Sequence, residues 1–67
     1  MARKKKYTLV GVDGNAFAVM GYVIRCMEKE GRSIEQIEEY RKDATSSNYD
    51  HLLSVSVAMI TKLNKAI

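Results

Sequence analysis

The chain has 67 residues, 46% of them hydrophobic, with eleven Lys or Arg against eight Asp or Glu for a formal net charge of +3. That balance excludes the apolar-poor, highly charged signature of disorder, and the length allows one domain burying only roughly 60% of its unfolded surface. One cysteine and one histidine exclude a disulfide framework and a structural zinc centre, and no apolar run approaches the roughly 18 residues of a membrane span.

Stability must therefore come from a thin core or from self-association, the reinforcement left to a small domain without staples. A homo-oligomer, most simply a dimer, in a reducing cytoplasm is the expectation. Arg3, Lys4, Lys5 and Lys6 contribute four positive charges, one more than the net +3, so residues 7–67 carry −1. The basicity belongs to a tail, and the predicted organisation is a flexible basic tail over 1–6 and a single small domain over 7–67.

In chain order, Lys5 to Val12 carries Tyr7, Leu9, Val10 and Val12 with Thr8, an aromatic and β-branched mix that predicts a strand. Asp13-Gly14-Asn15 breaks it. From Ala16, the apolar residues Phe17, Met20, Ile24 and Met27 recur at spacings of three and four, with Val19 and Val23 widening the stripe. That predicts an amphipathic helix capped by Asp13 or Asn15 and stopped by a left-handed Gly31. Asp13-Gly14 also fits a hairpin turn, but Ala16, Ala18 and Met20 favour the helix.

Ser33-Ile34-Glu35-Gln36 has the form of a capping box, predicting a second helix with Ile34, Ile37, Tyr40 and Ala44 inward and a mixed-charge face outward. Ser47-Asn48-Tyr49-Asp50 starts a third, whose apolar side runs from Tyr49 and Leu52 to Leu63. The alternation Leu53-Ser54-Val55-Ser56-Val57 is a competing strand signature, and the helix is preferred. The predicted fold class is therefore α+β: one N-terminal strand followed by three helices, the strand pairing across a homo-oligomer interface to satisfy its edges. Phe17, Met20, Ile24, Ile37, Leu52 and Met59 are the predicted core.

Leu9-Val10-Gly11-Val12-Asp13-Gly14-Asn15-Ala16-Phe17, then Met20-Gly21, Ala44-Thr45-Ser46 and Tyr49-Asp50-His51-Leu52-Leu53, resembles a group of short bacterial and phage proteins. The resemblance implies a bacterial or phage origin, hence the cytoplasm of a bacterial host cell, and brings no catalytic or binding residue with it.

Two places offer ligand chemistry. A glycine-bearing turn leading into a helix presents backbone N–H groups to an anion, which points to Asp13, Gly14, Asn15 and Ala16 as a small-ligand site for a nucleotide-like group. The turn lacks the Lys-Ser/Thr of a P-loop, and its plainer use is Gly14 at positive φ in a capped turn. Arg3, Lys4, Lys5 and Lys6 suit nucleic-acid phosphates, or simply keep a terminus in solution. Asp50, His51 and Ser54 are triad residue types, but neighbouring helix positions point apart. No catalytic residue, metal ligand or cofactor is expected. The function expected is that of a small non-catalytic binding or accessory protein inhibiting or sequestering a host component or nucleotide-like ligand, the alternative being a nucleic-acid-associated regulator using the basic tail.

Overall fold

The computed structural model describes residues 7–65. Three helices follow one another: α1 (Ala16–Lys29), α2 (Ile34–Ala44) and α3 (Tyr49–Lys65). Their ends are set locally. Asn15 caps α1, its side-chain oxygen accepting the Ala18 N–H at 2.8 Å. Gly31 (φ 74°) closes that helix in a Schellman arrangement, with the Gly31 N–H on the Glu28 carbonyl and the Arg32 N–H on the Met27 carbonyl. Ser33 and Gln36 form both bonds of the capping box at the start of α2. At the start of α3 the Asn48 side chain accepts the His51 N–H at 3.0 Å, and α3 is helical throughout the alternating stretch 53–57.

The expected α+β class is corrected: among the described residues there is no strand. Residues 7–10 do show the in-and-out alternation of one, with Tyr7 buried, Thr8 exposed, Leu9 packed against the core and Val10 86% exposed, before a turn brings Val12 back onto the core. What is missing is a ladder, because side chains and a turn take the backbone groups instead. The Asn64 carboxamide grips both sides of Tyr7, accepting its N–H at 3.0 Å and donating to its carbonyl at 2.9 Å. Thr8 N–H goes to the Tyr22 hydroxyl, Val10 N–H to Thr8 Oγ1, and Val12 N–H to the Leu9 carbonyl across a turn with Gly11 at φ 86°. The segment is an extended strap lying on the helices, and the expected pairing of such strands between two copies is corrected with it. Arg3 to Lys6, and with them the expected tail, lie outside the described residues.

The strap shows how the helices run. The Tyr49 hydroxyl donates to the Gly14 carbonyl, joining the starts of α1 and α3. Tyr7 joins their far ends, its hydroxyl donating to Glu30 just past α1 and its backbone held by Asn64 in α3. These two helices are parallel and α2 is antiparallel to both. The core lies between them: Val19, Val23, Cys26 and Met27 from α1, Ile37, Tyr40 and Ala44 from α2, Leu52, Ile60 and Leu63 from α3. Within it the Tyr40 hydroxyl and Ser56 Oγ are 2.6 Å apart, so two buried polar groups satisfy each other. Burial raises the Tyr40 pKa from its ordinary value of 10.0, against an opposing pull from the Ser56 hydrogen bond.

The predicted core holds at Ile37 and Leu52, while Met20, Ile24 and Met59 are half-buried around it. Phe17 is the correction: it is 84% exposed. At 100° per residue it lies about 135° around α1 from the centre of the Val19, Val23, Cys26 and Met27 stripe. The stripe of Val19, Val23, Cys26 and Met27 is the one that packs inward, while Phe17, Gly21, Arg25 and Glu28 are exposed. No helix among the described residues is long and apolar enough to cross a membrane.

Candidate functional site

The bond from Tyr49 to Gly14 brings together two stretches that lie 35 residues apart in the chain. On one side are Asp13, Gly14, Asn15, Ala16 and Phe17; on the other are Tyr49 and Asp50. Asp13, Gly14, Asn15, Phe17, Tyr49 and Asp50 are all exposed, and Ala16 is half-buried against the core. The surface thus formed exposes Phe17 and, less fully, Tyr49, with Asp13 four residues before Phe17 in the chain and Asp50 next to Tyr49. Gly21, one turn further along α1 on the same side as Phe17, is exposed, and nothing lies within 4 Å of where its Cβ would be.

The turn predicted to cradle an anion is occupied from within. Asp13 Oδ1 accepts the Asn15 N–H at 3.1 Å, and the Asn15 side chain takes the Ala18 N–H. An acid therefore already sits on a donor that a phosphate would use. Positive φ falls at Gly11 and Gly31 and not at Gly14, so the expectation of positive φ at Gly14 is corrected. A side chain there would meet the Tyr49 hydroxyl at an ordinary 3.8 Å.

His51 keeps different company from the triad weighed above. Its Nε2 lies 2.9 Å from the Asp43 carbonyl, 3.1 Å from Asp43 Oδ1 and 3.3 Å from Ser46 Oγ. All three partners face one ring nitrogen, so the ring cannot pass a proton from one to another through its two nitrogens, as a catalytic relay requires. Its work is to cap the end of α2, where Thr45 Oγ1 and Ser46 Oγ also donate to the last carbonyls. Cys26 is buried, and burial raises its thiol pKa from 9.0 despite a hydrogen bond with Tyr22 and the charge of Lys29 pulling the other way. It behaves as a small core side chain. Among the described residues no three His, Cys, Asp or Glu gather as a metal site would need.

A groove of about 350 Å³ runs between α2 and α3, floored by Met27, Tyr40, Val55 and Met59 and edged by Arg32 and Lys62 as well as Glu39 and Asp43. It continues past Lys62 to Lys65 and His51 as a shallower hollow. Sequence reasoning did not single out Arg32, Lys62 or Lys65, because residues from a loop and a helix end become neighbours only after folding. Phe17 was singled out, though for the interior, and the missing signal was which of two apolar faces of α1 turns inward.

No protein-family model, curated protein or solved structure matches this chain.

Proposed function

We propose that this chain is a non-catalytic protein-binding module that engages its partner through the outward face of α1, centred on Phe17. The observation that carries the proposal is the 84% exposure of the chain's single phenylalanine on a helix whose other side already fills the core. Covering such a side chain is worth about 1.5 to 3 kcal/mol, and aromatic anchors of this kind dominate binding energy at protein interfaces. Gly21 supports the reading. An exposed glycine in a helix interior costs about 1 kcal/mol relative to alanine, and on the side of Phe17 it leaves room for a partner's backbone to approach closely. Asp13 and Asp50 give the face an acidic edge, so the complementary partner has an apolar pocket with a basic rim. This role agrees with the accessory function that the sequence suggests for a small bacterial or phage protein.

The test compares the parent with Phe17→Ser. The substitution leaves the core untouched, so the variant should melt within a degree or two of the parent. Affinity capture from a bacterial lysate should then recover a partner with the parent and lose it with the variant, while light scattering shows whether that partner is a second copy. Equal recovery by both proteins would overturn the proposal.

A further inference from the structure

The chemistry that the Phe17 face calls for in a partner, an apolar pocket with a basic rim, is present on the chain itself. In the groove between α2 and α3, Val55 and Met59 are half-buried, Met27 and Tyr40 lie beneath them, and Arg32 and Lys62 stand on the edge. Its volume of about 350 Å³ is that of a small-ligand pocket, so a phenyl ring enters with room around it. Met59 suits such an occupant, because a flexible thioether repacks around a ring and makes favourable contacts with its edge.

Charge changes sign along both surfaces. Because α2 and α3 are antiparallel, Arg32 and Lys62 share one end of the groove, Glu39 lies midway, and Asp43, bonded through Oδ1 to His51, lies at the other end. The Phe17 face begins with Asp13 and Asp50. Phe17, Gly21 and Arg25 then follow in one i, i+4, i+8 row of α1, which puts the exposed Arg25 about 12 Å beyond Phe17. Glu28 and Lys29 end the face with one charge of each sign. Arg25, Arg32, Glu39 and Lys62 make no ion pair among the described residues. Laid into such a groove parallel to α2, the face sets Asp13 and Asp50 toward Arg32 and Lys62, Phe17 over Val55 and Met59, and Arg25 toward Glu39 and Asp43. The reverse direction would oppose like charges at both ends.

Given the role proposed for Phe17, on which this rests, we infer that the partner is a second copy of the chain, with Phe17 of one copy seated in the groove between α2 and α3 of the next. Within one molecule Phe17 stands at the start of α1, while Arg32 and Lys62 belong to the opposite end of the bundle, near Glu30 and Asn64. No copy can therefore seat its own Phe17. The two surfaces differ, so the contact is head to tail, and copies add until a ring closes or continue as a chain. One short helix face makes a small interface, so assembly depends on concentration.

The test is light scattering on the full chain up to about 1 mM, where even contacts of millimolar Kd populate oligomers. The mass of the parent should rise with concentration. Phe17→Ser removes the inserted ring, and Lys62→Glu, at an exposed position, reverses charge at the groove; each alone should weaken association at least about tenfold. Lys62→Gln should weaken it less than Lys62→Glu, and melting curves check that all three variants fold. An equimolar mixture of Phe17→Ser and Lys62→Glu should form a one-to-one dimer and nothing larger, since the first still has its groove and the second its Phe17. A parent that stays monomeric overturns the inference, while Phe17-dependent capture of a different protein would leave the role of that face standing. Association that Lys62→Glu leaves unchanged, or a mixture that stays monomeric, also overturns it, because the ring would then not enter the groove. Association that Phe17→Ser leaves unchanged overturns the inference and the role of Phe17 together.

Discussion

Alanine placed at two of the glycines should move stability in opposite directions. Gly21 is in the interior of α1, it is exposed, and an added Cβ would meet nothing within 4 Å. Gly21→Ala therefore gains the helix-propensity difference without a clash, about 0.8 to 1 kcal/mol. With an unfolding entropy of roughly 2.1 cal/mol/K per residue, a chain of 67 residues converts that gain to a rise of about 6 to 7 °C in Tm. Gly31 also has open space around it, but its φ of 74° is one that an L side chain rarely adopts. Gly31→Ala should cost about 1 to 2 kcal/mol and lower Tm by about 7 to 14 °C. Thermal and urea unfolding followed by circular dichroism measure both. Gly21→Ala melting at or below the parent would refute the helical interior, and Gly31→Ala melting above it would refute the left-handed stop. If Gly21→Ala is more stable but binds the protein partner as tightly as before, Gly21 does not belong to the binding face.

Leu63→Ala, at a fully buried position, should cost about 2 to 5 kcal/mol in urea titrations, while Phe17→Ala stays within about 0.5 kcal/mol of the parent. A large loss at Phe17 would mean that it packs inward. Tyr40→Phe leaves the Ser56 hydroxyl buried without its partner and should cost about 1 to 3 kcal/mol, whereas adding Ser56→Ala should recover much of that loss. A double-mutant cycle showing no coupling would remove the bond from the core's energetics. The raised Tyr40 and Cys26 pKa values mean that the fold holds these protons more tightly than the unfolded chain does. Their contribution is complete below the unfolded values of 9.0 and 10.0 and is lost as pH rises through the folded ones. Tm should fall above about pH 9, less steeply in Cys26→Ala; a melting temperature unchanged up to pH 11 would contradict this.

The helix boundaries were legible because their causes are local. Asn15, the Ser33 and Gln36 pair, Gly31 and Asn48 each satisfy backbone groups within a few residues, so their types and spacing carry the information. The aromatic and β-branched composition of Tyr7 to Val12 was equally legible, but the strand it predicts does not form. Whether such a segment becomes a strand depends on what lies beside it, and here that is Asn64, 57 residues away, whose carboxamide offers one acceptor and one donor in the place of a neighbouring strand.

The candidate site divides in the same way. Sequence alone marked Asp13 to Ala16 as a turn into a helix and Arg3 to Lys6 as a concentration of charge, since both are properties of consecutive residues. It also showed that the first helix is apolar, but not which side would be buried, because Phe17, Met20 and Ile24 offer one plausible stripe and Val19, Val23 and Cys26 another. Packing against α2 and α3 turned the second stripe inward and left Phe17 exposed. Tertiary structure likewise joined Gly14 to Tyr49 at one end and brought Arg32 and Lys62 together at the other. Both surfaces are formed by residues distant in the chain, and their proximity follows from the parallel course of α1 and α3, which no local propensity encodes.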